Sequence, residues 1–332
     1  MPALRRGAGE AQMGVMHRRH FLGIAATLPL VGCASWGNDS VRVRRQAYAG
    51  WNDAIRIENR EAWVAIVPSV GRVMQFGLTD RPGVFWENPK LLGAAMPEDP
   101  WGKAAGSFGG DKTWPAPQSA WNWPPPDVFD RSAVEARIEG DGVLLVSPPS
   151  LRFGIVTERR IRLIPGRAQM SIETLYRKVT GDPVEVGIWV ITQMKDPDRV
   201  YFPASKDPRF EGGWSRQWKV PPELVQVEQG LISMRREPQG SYKIGNDARA
   251  ILWVGRREVL KVELEAGRTG TPADGGCSVE LYTNGGEADY VELETLAPIS
   301  RLTVGDVLRA RNFYQLAPRT HHQADAEARL WF

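Results

Sequence analysis

The sequence has 332 residues, with 42 Lys and Arg against 39 Asp and Glu and a formal net charge of +3 at pH 7. Its 42% hydrophobic and 24% charged residues are typical of a soluble globular chain and exclude a disordered or multispan membrane protein. The small net charge, without a basic stripe of interleaved aromatics, excludes nucleic acid as an expected partner, and two cysteines are too few for a disulfide framework.

The N-terminal region indicates an export signal. Residues 16–33 read MHRRHFLGIAATLPLVGC, in which Arg18 and Arg19 precede Phe21 as in a twin-arginine signature. The apolar run that follows is too short to span a bilayer but suits a signal-peptide core. It ends in LVGC, which resembles a bacterial lipobox and implies cleavage before Cys33 and a lipid anchor on that cysteine. The alternatives are an uncleaved anchor helix and a chance apolar run in a cytoplasmic protein.

This pattern predicts four regions along the chain. Residues 1–32 are expected to be a signal peptide, 33–44 a tether, 45–320 a single domain and 321–332 a C-terminal tail. We therefore expect a lipid-anchored protein of the cell envelope, exported by the twin-arginine route. Ala34 after the cysteine suits an outer membrane; a periplasm-facing membrane is the other location.

The body of the chain is predicted to consist of β-strands. Runs with a period of two residues are separated by Gly and Pro turns, and the only helix candidate is the tail. Residues 62–78 form two β-rich stretches, and Pro165 and Gly166 mark the turn of a hairpin. Short strands without intervening helices favour an all-β antiparallel sandwich. The remaining predicted strands lie at 155–164, 168–179, 183–194, 249–254, 258–265, 277–283, 289–296 and 307–316.

Residues 91–130 differ from the rest, being rich in Gly, Pro and Trp without a strand period. We predict a functional loop here, because a long irregular stretch in a compact domain is usually functional or disordered. Five tryptophans fall within 38 positions: Trp86, Trp101, Trp114, Trp121 and Trp123.

Within this segment, the run GGDKTWPAPQ (109–118) is predicted to be one loop. It places Asp111, Lys112 and Gln118 beside Trp114. An apolar ring beside acid, amine and amide groups suits a sugar, whose CH face stacks while its hydroxyls form hydrogen bonds. The alternative is that the tryptophans plug one end of the sandwich.

Several kinds of site have no residues to support them. Beyond the leader, the histidines are His321 and His322, which argues against a His-rich zinc site and a Ser-His-Asp triad. No phosphate-binding or dinucleotide motif occurs, so we expect neither a cofactor nor a metal. Cys277 is expected to be a buried strand residue.

Two carboxylates in YVELET (290–295) are a candidate acid–base pair. Glu292 and Glu294 are two residues apart and would lie on the same side of one strand. Mutual repulsion raises the pKa of one member of such a pair, which prepares it for proton transfer. The alternative is ion pairing across strands with Arg309 and Arg311.

Four runs carry a resemblance to a known family: IVPSVGRV (66–73), FWENP (85–89), GGDKTWPAPQ and YVELETLAPI (290–299). Together they resemble a family of uncharacterised bacterial proteins within the galactose-mutarotase-like superfamily. The resemblance spans residues 45–318. It implies an antiparallel β-supersandwich with a carbohydrate-binding groove.

The resemblance also implies roles for individual residues. Aldose 1-epimerases of this superfamily use a late-strand Glu as general base and a His as general acid. Matching the Leu-Glu pattern makes Glu294 the predicted base. No histidine lies between His20 and His321, so the acid must differ. We predict Asp111 as the acid, with Lys112 or Lys243 as substitutes.

The resulting expectation is an exported lipoprotein that binds carbohydrate, with metal-free epimerase-like isomerase chemistry if it is an enzyme. The alternative is a non-catalytic glycan-binding or structural lipoprotein of the cell envelope. The predicted substrate-binding residues are Arg72, Lys112, Trp114, Gln118, Trp121, Trp123, Gln193, Lys243 and Glu292.

Overall fold

The computed structural model describes residues 40–96, 106–216, 220–267 and 269–332. The predicted signal peptide, Cys33 and Trp101 lie outside the described residues. In the described ranges, no helix has the length and apolar character needed to cross a membrane.

β-Strands make up most of the regular secondary structure of the described residues. Two short helices are present, α1 (Asp127–Asp130) and α2 (Ala324–Ala328). The strands are β1 (Arg42–Arg45), β2 (Ile55–Glu58), β3 (Ala62–Val67), β4 (Arg72–Leu78), β5 (Asp111–Ala116), β6 (Glu135–Glu139), β7 (Gly142–Val146), β8 (Ile155–Leu163), β9 (Gln169–Lys178), β10 (Val184–Lys195), β11 (Arg199–Pro203), β12 (Ser215–Arg216), β13 (Val225–Glu228), β14 (Leu231–Met234), β15 (Tyr242–Asn246), β16 (Ala250–Val254), β17 (Glu258–Ala266), β18 (Val279–Thr283), β19 (Tyr290–Leu296), β20 (Ser300–Leu302) and β21 (Val307–Pro318).

These strands form two sheets within the described part of the chain. The first has the order β1-β2-β3-β4-β5-β10-β19-β18-β15-β12, with β20 added beside β10. The second has the order β13-β14-β11-β16-β17-β21-β9-β8-β7-β6. Apolar side chains of both sheets, such as Phe76 and Tyr314, meet in one core. The predicted all-β antiparallel sandwich is therefore confirmed.

The predicted hairpin is β8 and β9, which pair from Ile155 opposite Lys178 to Leu163 opposite Met170. The alternation of buried and half-buried residues along β8 matches the period of two in the sequence. At the chain ends, β1 begins within the segment predicted as a tether. The predicted tail helix is α2, held to the domain where the Tyr201 hydroxyl donates to Asp325 at 2.6 Å.

The run 109–118 differs from the prediction, because most of it is strand β5 rather than loop. Gly109 and Gly110 have φ values of +96° and +72° and lead the chain into this strand. A Cβ on Gly109 would lie 2.2 Å from the carbonyl oxygen of Trp86, so only glycine fits the approach. Because these residues form a strand, successive residues of β5 point to opposite faces of the first sheet.

The two faces of β5 have different surroundings. Asp111 points toward the second sheet, where Arg159 of β8 forms an ion pair with it and the Tyr314 hydroxyl of β21 donates to it at 2.6 Å. Lys112 and Trp114 point to the opposite, outer face. The first sheet therefore has an inner face that packs in the sandwich core and an outer face that is covered by loops.

Candidate functional site

A cavity lies on the outer face of the first sheet. Its volume is about 350 Å³, within the range of about 300–1,000 Å³ typical of small-molecule sites. We call it the outer cavity. It is lined by Ser107, Lys112, Trp114, Gln118, Trp123, Asp130, Arg131, Trp189, Gln193, Lys243, Tyr282, Tyr290, Glu292 and Glu294.

Strand register sets the spacing of the groups in the outer cavity. Ile191 of β10 is paired with Lys112 of β5 on one side and with Glu294 of β19 on the other. Neighbouring strands lie ~4.8 Å apart, so the Cα atoms of Lys112 and Glu294 are about 10 Å apart. An ammonium and a carboxylate therefore extend into the cavity from the two sides of β10.

Glu294 is buried and held through one of its two oxygens. Lys243 Nζ lies 2.8 Å from Oε2, and Trp189 Nε1 donates to the same oxygen at 2.7 Å. The Lys243 ammonium also lies 4.4 Å from the centroid of the Trp189 ring, a cation–π contact. Among the described residues, none donates to Oε1, so this oxygen can accept a proton from a ligand.

Glu280 lies beside Glu294, on the neighbouring strand β18. The two are directly paired, and Lys243 Nζ lies 2.7 Å from Glu280 Oε2. Gly245 makes room for this side chain, since a Cβ there would lie 2.7 Å from Glu280 Cγ. Burial raises the pKa of Glu280 to about 8. The positive charge of Lys243 opposes this rise, and the negative charge of Glu294 adds a smaller contribution to it. A proton on Glu280 leaves one cation and one anion in this buried group, which is then neutral.

Lys243 is a strongly held cation. Burial by itself would lower the pKa of Lys243, but the charges of Glu280 and Glu294 raise it well above the ordinary lysine value. A proton bound this firmly is released with difficulty. Lys243 is therefore held in its charged form between Glu280 and Glu294.

Glu292 is the second carboxylate of β19 on the outer face. Gln193 Nε2 donates to its Oε1 at 2.9 Å, and Ser107 Oγ in turn donates to Gln193 Oε1 at 2.6 Å. Burial raises the pKa of Glu292 to about 7. The charge of Lys112 opposes this rise, and the charge of Glu294 adds to it. This carboxyl group therefore changes its protonation near neutral pH.

The opposite side of the outer cavity is organised around Asp130 of α1. Lys112 Nζ lies 2.8 Å from Oδ1, Arg72 Nη2 lies 3.2 Å from the same oxygen, and Arg131 Nε lies 3.2 Å from Oδ2. Burial favours the neutral acid, but Lys112 and Arg72 hold the pKa of Asp130 well below its ordinary range. The pKa of Lys112 is lowered, chiefly by burial, with Asp130 opposing.

Tryptophan rings line one end of the outer cavity. Trp114 of β5 is in edge contact with Trp189 of β10, with ring centroids 5.3 Å apart. Trp123 lies 6.3 Å from Trp114, and Lys112 Nζ lies 4.1 Å from the centroid of the Trp114 ring. The cavity thus combines apolar ring faces with charged and amide groups.

Several solved structures of bacterial proteins are similar to this chain at low sequence identity. A protein provisionally named aldose 1-epimerase from Klebsiella pneumoniae is similar with a TM-score of 0.56 at 9% identity, covering 87% of this chain and 85% of that one. A galactose mutarotase-like protein from Lactobacillus casei is similar with a TM-score of 0.53 at 8% identity, covering 80% and 100%. A provisionally named mutarotase, YeaD from Salmonella typhimurium, is similar with a TM-score of 0.52 at 13% identity, covering 80% and 91%.

The chain has the galactose mutarotase-like fold. This confirms the fold that the sequence resemblance implied. No protein-family model and no protein of curated function matches the sequence.

On this galactose mutarotase-like scaffold, most of the predicted site residues lie together. Three of the predicted site residues do not line the cavity. Arg72 is buried behind it and holds Asp130 and the Gly109 carbonyl oxygen, to which it donates at 2.8 Å. Trp121 is buried against Trp114, with ring centroids 5.6 Å apart. The predicted residues that line the cavity are Lys112, Trp114, Gln118, Trp123, Gln193, Lys243, Glu292 and Glu294.

Asp111 is the third predicted site residue that does not line the cavity, and its placement does not fit the predicted role of general acid. It has no exposed surface and lies on the inner face of the first sheet. Its carboxylate is occupied by Arg159, by the Thr192 hydroxyl at 2.6 Å and by Tyr314. Because β5 is a strand, adjacent Asp111 and Lys112 point in opposite directions, and Lys112 alone of the two reaches the cavity.

Other cavity residues were missed by the sequence prediction. Trp189 lies four residues before Gln193 on β10, and Tyr290 two residues before Glu292 on β19, so alternation along each strand was a usable signal for both. Tyr282 lies on β18, where the sequence prediction placed no site residue. Ser107 and Asp130 lie within residues 91–130, the segment predicted to be functional, and Arg131 directly follows it, but no local pattern singled out these three residues.

The proposed alternative for the β19 carboxylates was ion pairing with Arg309 and Arg311. Both arginines instead pair with Glu173 in the second sheet, at 3.4 and 3.0 Å. Cys277 is buried, just before β18 rather than within a strand. In the part of the chain that the structure describes, no group of three or more His, Cys, Asp or Glu side chains is arranged to hold a metal ion.

Proposed function

We propose that the outer cavity binds a carbohydrate and catalyses exchange between its anomers by acid–base chemistry of the aldose 1-epimerase type. One observation carries the proposal: Lys112 and Glu294 flank Ile191 from opposite sides within a cavity of about 350 Å³. Three of the similar structures have names that refer to mutarotases or aldose 1-epimerases, which supports the same chemistry here.

The lining of the outer cavity suits a sugar. A pyranose has an apolar CH face that packs on aromatic rings, here supplied by Trp114 and Trp189. Its hydroxyls both donate and accept hydrogen bonds. Gln193, Gln118 and Glu292 present amide and carboxyl groups to match them.

Glu294 fits the role of general base. Lys243 and Trp189 fix its Oε2, while Oε1 has no donor among the residues described. We propose that Oε1 accepts the proton of the anomeric hydroxyl. As the C1–O5 bond breaks, the electron pair left on O1 forms the aldehyde carbonyl. Rotation about C1–C2 and reclosure by the reverse proton transfers then give the other anomer, with no net gain or loss of atoms.

Lys112 fits the role of general acid, donating a proton to the ring oxygen O5 as C1–O5 breaks. A lowered pKa makes an ammonium a better donor near neutral pH, and the pKa of Lys112 is lowered while that of Lys243 is raised. Because O1 and O5 are bonded to the same carbon, an acid and a base on two sides of one strand reach both.

Non-catalytic glycan binding is the second candidate, and one observation favours it. Both proposed catalytic groups already have an ion-pair partner at 2.8 Å, Asp130 for Lys112 and Lys243 for Glu294. A site whose charges are satisfied internally can recognise hydroxyls without transferring protons.

The distinguishing experiment follows the optical rotation of freshly dissolved α-hexoses in the presence of the protein. Wild-type protein is expected to accelerate equilibration of at least one hexose, and Glu294→Gln to lose this acceleration ~10²–10⁴-fold. Glu287→Gln, at an exposed turn between β18 and β19, is the matched control. Calorimetric binding without acceleration by any of the three would establish the glycan-binding alternative.

We further propose that the protein is exported and anchored to the cell envelope through Cys33. The support is the order of Arg18 and Arg19, the apolar run and LVGC in the sequence. Mass spectrometry of protein from membranes is expected to find an acylated N-terminal Cys33. Cys33→Ser should release the protein from membranes, Cys277→Ser should not, and an unmodified N-terminus upstream of Cys33 would contradict the proposal.

A further inference from the structure

We infer that the outer cavity binds a 2-amino sugar, whose ammonium group is held by Glu292 while its anomeric hydroxyl lies at Glu294. This inference rests on the proposed function of the cavity and goes further by naming the class of substrate. The observation behind it is that Glu292, among the acidic residues described in the cavity lining, is the one without an ion-pair partner.

Three acidic side chains line the outer cavity in the described ranges. Asp130 has Lys112 at 2.8 Å, and Glu294 has Lys243 at 2.8 Å. Glu292 instead accepts one hydrogen bond, from a neutral side-chain amide to its Oε1. Its Oε2 has no donor among the residues that the structure describes. This oxygen is therefore available to a positively charged group of the ligand.

The strand register leaves Glu292 without a neighbouring cation. Its row across the first sheet contains Gln193 of β10, Tyr282 of β18 and Lys243 of β15. Lys243 is the cation of this described row, but its Nζ is turned to the two carboxylates of the next row, at 2.7 and 2.8 Å. Beyond Gln193, whose backbone amide donates to the Gly110 carbonyl oxygen at 2.9 Å, the row reaches a glycine.

A buried carboxylate without a cation in contact is costly to ionise. Burial raises the pKa of Glu292 to about 7, and Lys112 opposes this rise without forming an ion pair with Glu292. An ammonium against Oε2 would stabilise the ionised carboxyl group. In return, the carboxylate would replace the water that the ammonium loses on entering the cavity, by a hydrogen bond in which both partners are charged. The missing positive charge of the row and the charge of an amino sugar therefore match.

The position of the amine follows from the proposed chemistry. With O1 at Glu294 and the ring oxygen at Lys112, the next substituent on the ring is the one on C2. Glu292 is two residues before Glu294 on the same face of β19, with Cα atoms about 7 Å apart. Two consecutive carboxyl groups on one strand face thus correspond to two consecutive groups of the sugar, O1 and the C2 ammonium.

The test is titration calorimetry at pH 7 with glucose, galactose and mannose and with their 2-amino and 2-acetamido forms. At least one 2-amino sugar is expected to bind about tenfold more tightly than its parent hexose, because hydrogen bonds to charged groups are stronger than those between neutral groups. Its 2-acetamido form has no charge and should show no such gain. Glu292→Gln keeps the size of the side chain without its charge and should bring the ratio of affinities close to one.

Glu287→Gln is the matched control, because Glu287 is exposed and does not line the cavity, so its ratio should equal that of the wild type. A wild-type ratio close to one, or an unchanged ratio in Glu292→Gln, would overturn the amino-sugar inference alone, since anomer exchange of neutral hexoses tests the proposed function separately. The ratio is measured first on the wild type, so the inference can be overturned even if Glu292→Gln does not fold.

Two further outcomes count against the inference. Glucuronate binding more tightly than glucosamine would assign the cavity to acidic sugars, held by the cations around Asp130, and would overturn the amino-sugar inference. Failure of every probe to bind would overturn this inference and the proposed function together.

Discussion

Lys112 and Glu294 are both register partners of Ile191, one on each strand that flanks β10. The placement of Lys112 and Glu294 on opposite sides of β10 is therefore fixed by backbone hydrogen bonding in the centre of a sheet and not by a loop. Groups placed on strands hold their positions more firmly than groups on loops, as acid–base catalysis requires. The flanking ion pairs to Asp130 and Lys243 fix the ends of the two side chains as well.

Replacing Lys112 by Met should remove the proposed acid and reduce anomer exchange ~10²–10⁴-fold. In the wild type, the rate should fall at alkaline pH as Lys112 loses its proton. Because its pKa lies below the ordinary 10.5, this fall should begin below that pH, and Lys112→Met should lack it. Polarimetry between pH 5 and 10 measures both effects.

Lys206→Met is the control for this prediction, since Lys206 is exposed and does not line the cavity. A Lys112→Met protein with the wild-type rate and pH profile would remove Lys112 from the mechanism.

Lys243→Met should destabilise the protein by about 3–5 kcal/mol, because it leaves Glu280 and Glu294 buried together without their shared cation. Urea unfolding at pH 7 measures the change in the free energy of unfolding. The double variant Lys243→Met/Glu280→Gln should lose less than the sum of the single changes, because each single change already removes the contact between Lys243 and Glu280. Additive losses would mean that the three groups are not coupled.

Asp111→Asn should act on stability, because Asp111 balances the buried charge of Arg159 between the sheets. The expected loss in the free energy of unfolding is about 3–5 kcal/mol. Molecules that remain folded should keep their anomer-exchange rate. A variant as stable as the wild type that has lost exchange would instead restore Asp111 as the acid.

Glu280 should make stability fall as pH rises from about 4.5 to about 8. Its pKa is raised by burial, so between these values the folded state holds a proton that the unfolded state has released. One such proton corresponds to a slope of up to about 1.4 kcal/mol per pH unit. Glu280→Gln cannot ionise, so its stability relative to the wild type should increase between pH 5 and pH 8.

Unfolding by urea at pH 5, 6.5 and 8 measures this difference, and the exposed Glu287→Gln variant should show no such trend. A constant difference between wild type and Glu280→Gln across this range would mean that Glu280 ionises normally.

Much of the site was predictable where strand periodicity was intact. Glu292 and Glu294 lie on one face of β19, as their spacing of two predicted. The β8–β9 hairpin follows from the turn at Pro165 and Gly166 because a tight turn between alternating runs has few other solutions. The fold also followed from these runs, since short strands without long helices pack as two sheets.

Strand β5 was missed because its composition resembles a loop. Proline lacks the amide that an interior strand needs, so Pro115 argued against a strand. In the structure, β5 pairs with β10 along its length but with β4 only at Asp111 opposite Val73. Pro115 therefore lies where β5 has one paired neighbour, and its missing amide costs no ladder hydrogen bond. Asp130 was missed because it reaches Lys112 only through the tertiary fold.

The most direct measurement is a crystal structure of the protein with the hexose whose equilibration it accelerates most. We expect a pyranose in the outer cavity with O1 about 2.6–3.2 Å from Glu294 Oε1 and with the ring oxygen facing Lys112 Nζ. Its apolar face should lie against Trp114 or Trp189. A sugar bound elsewhere, or an outer cavity without sugar at saturating hexose, would contradict the proposed roles of Glu294 and Lys112.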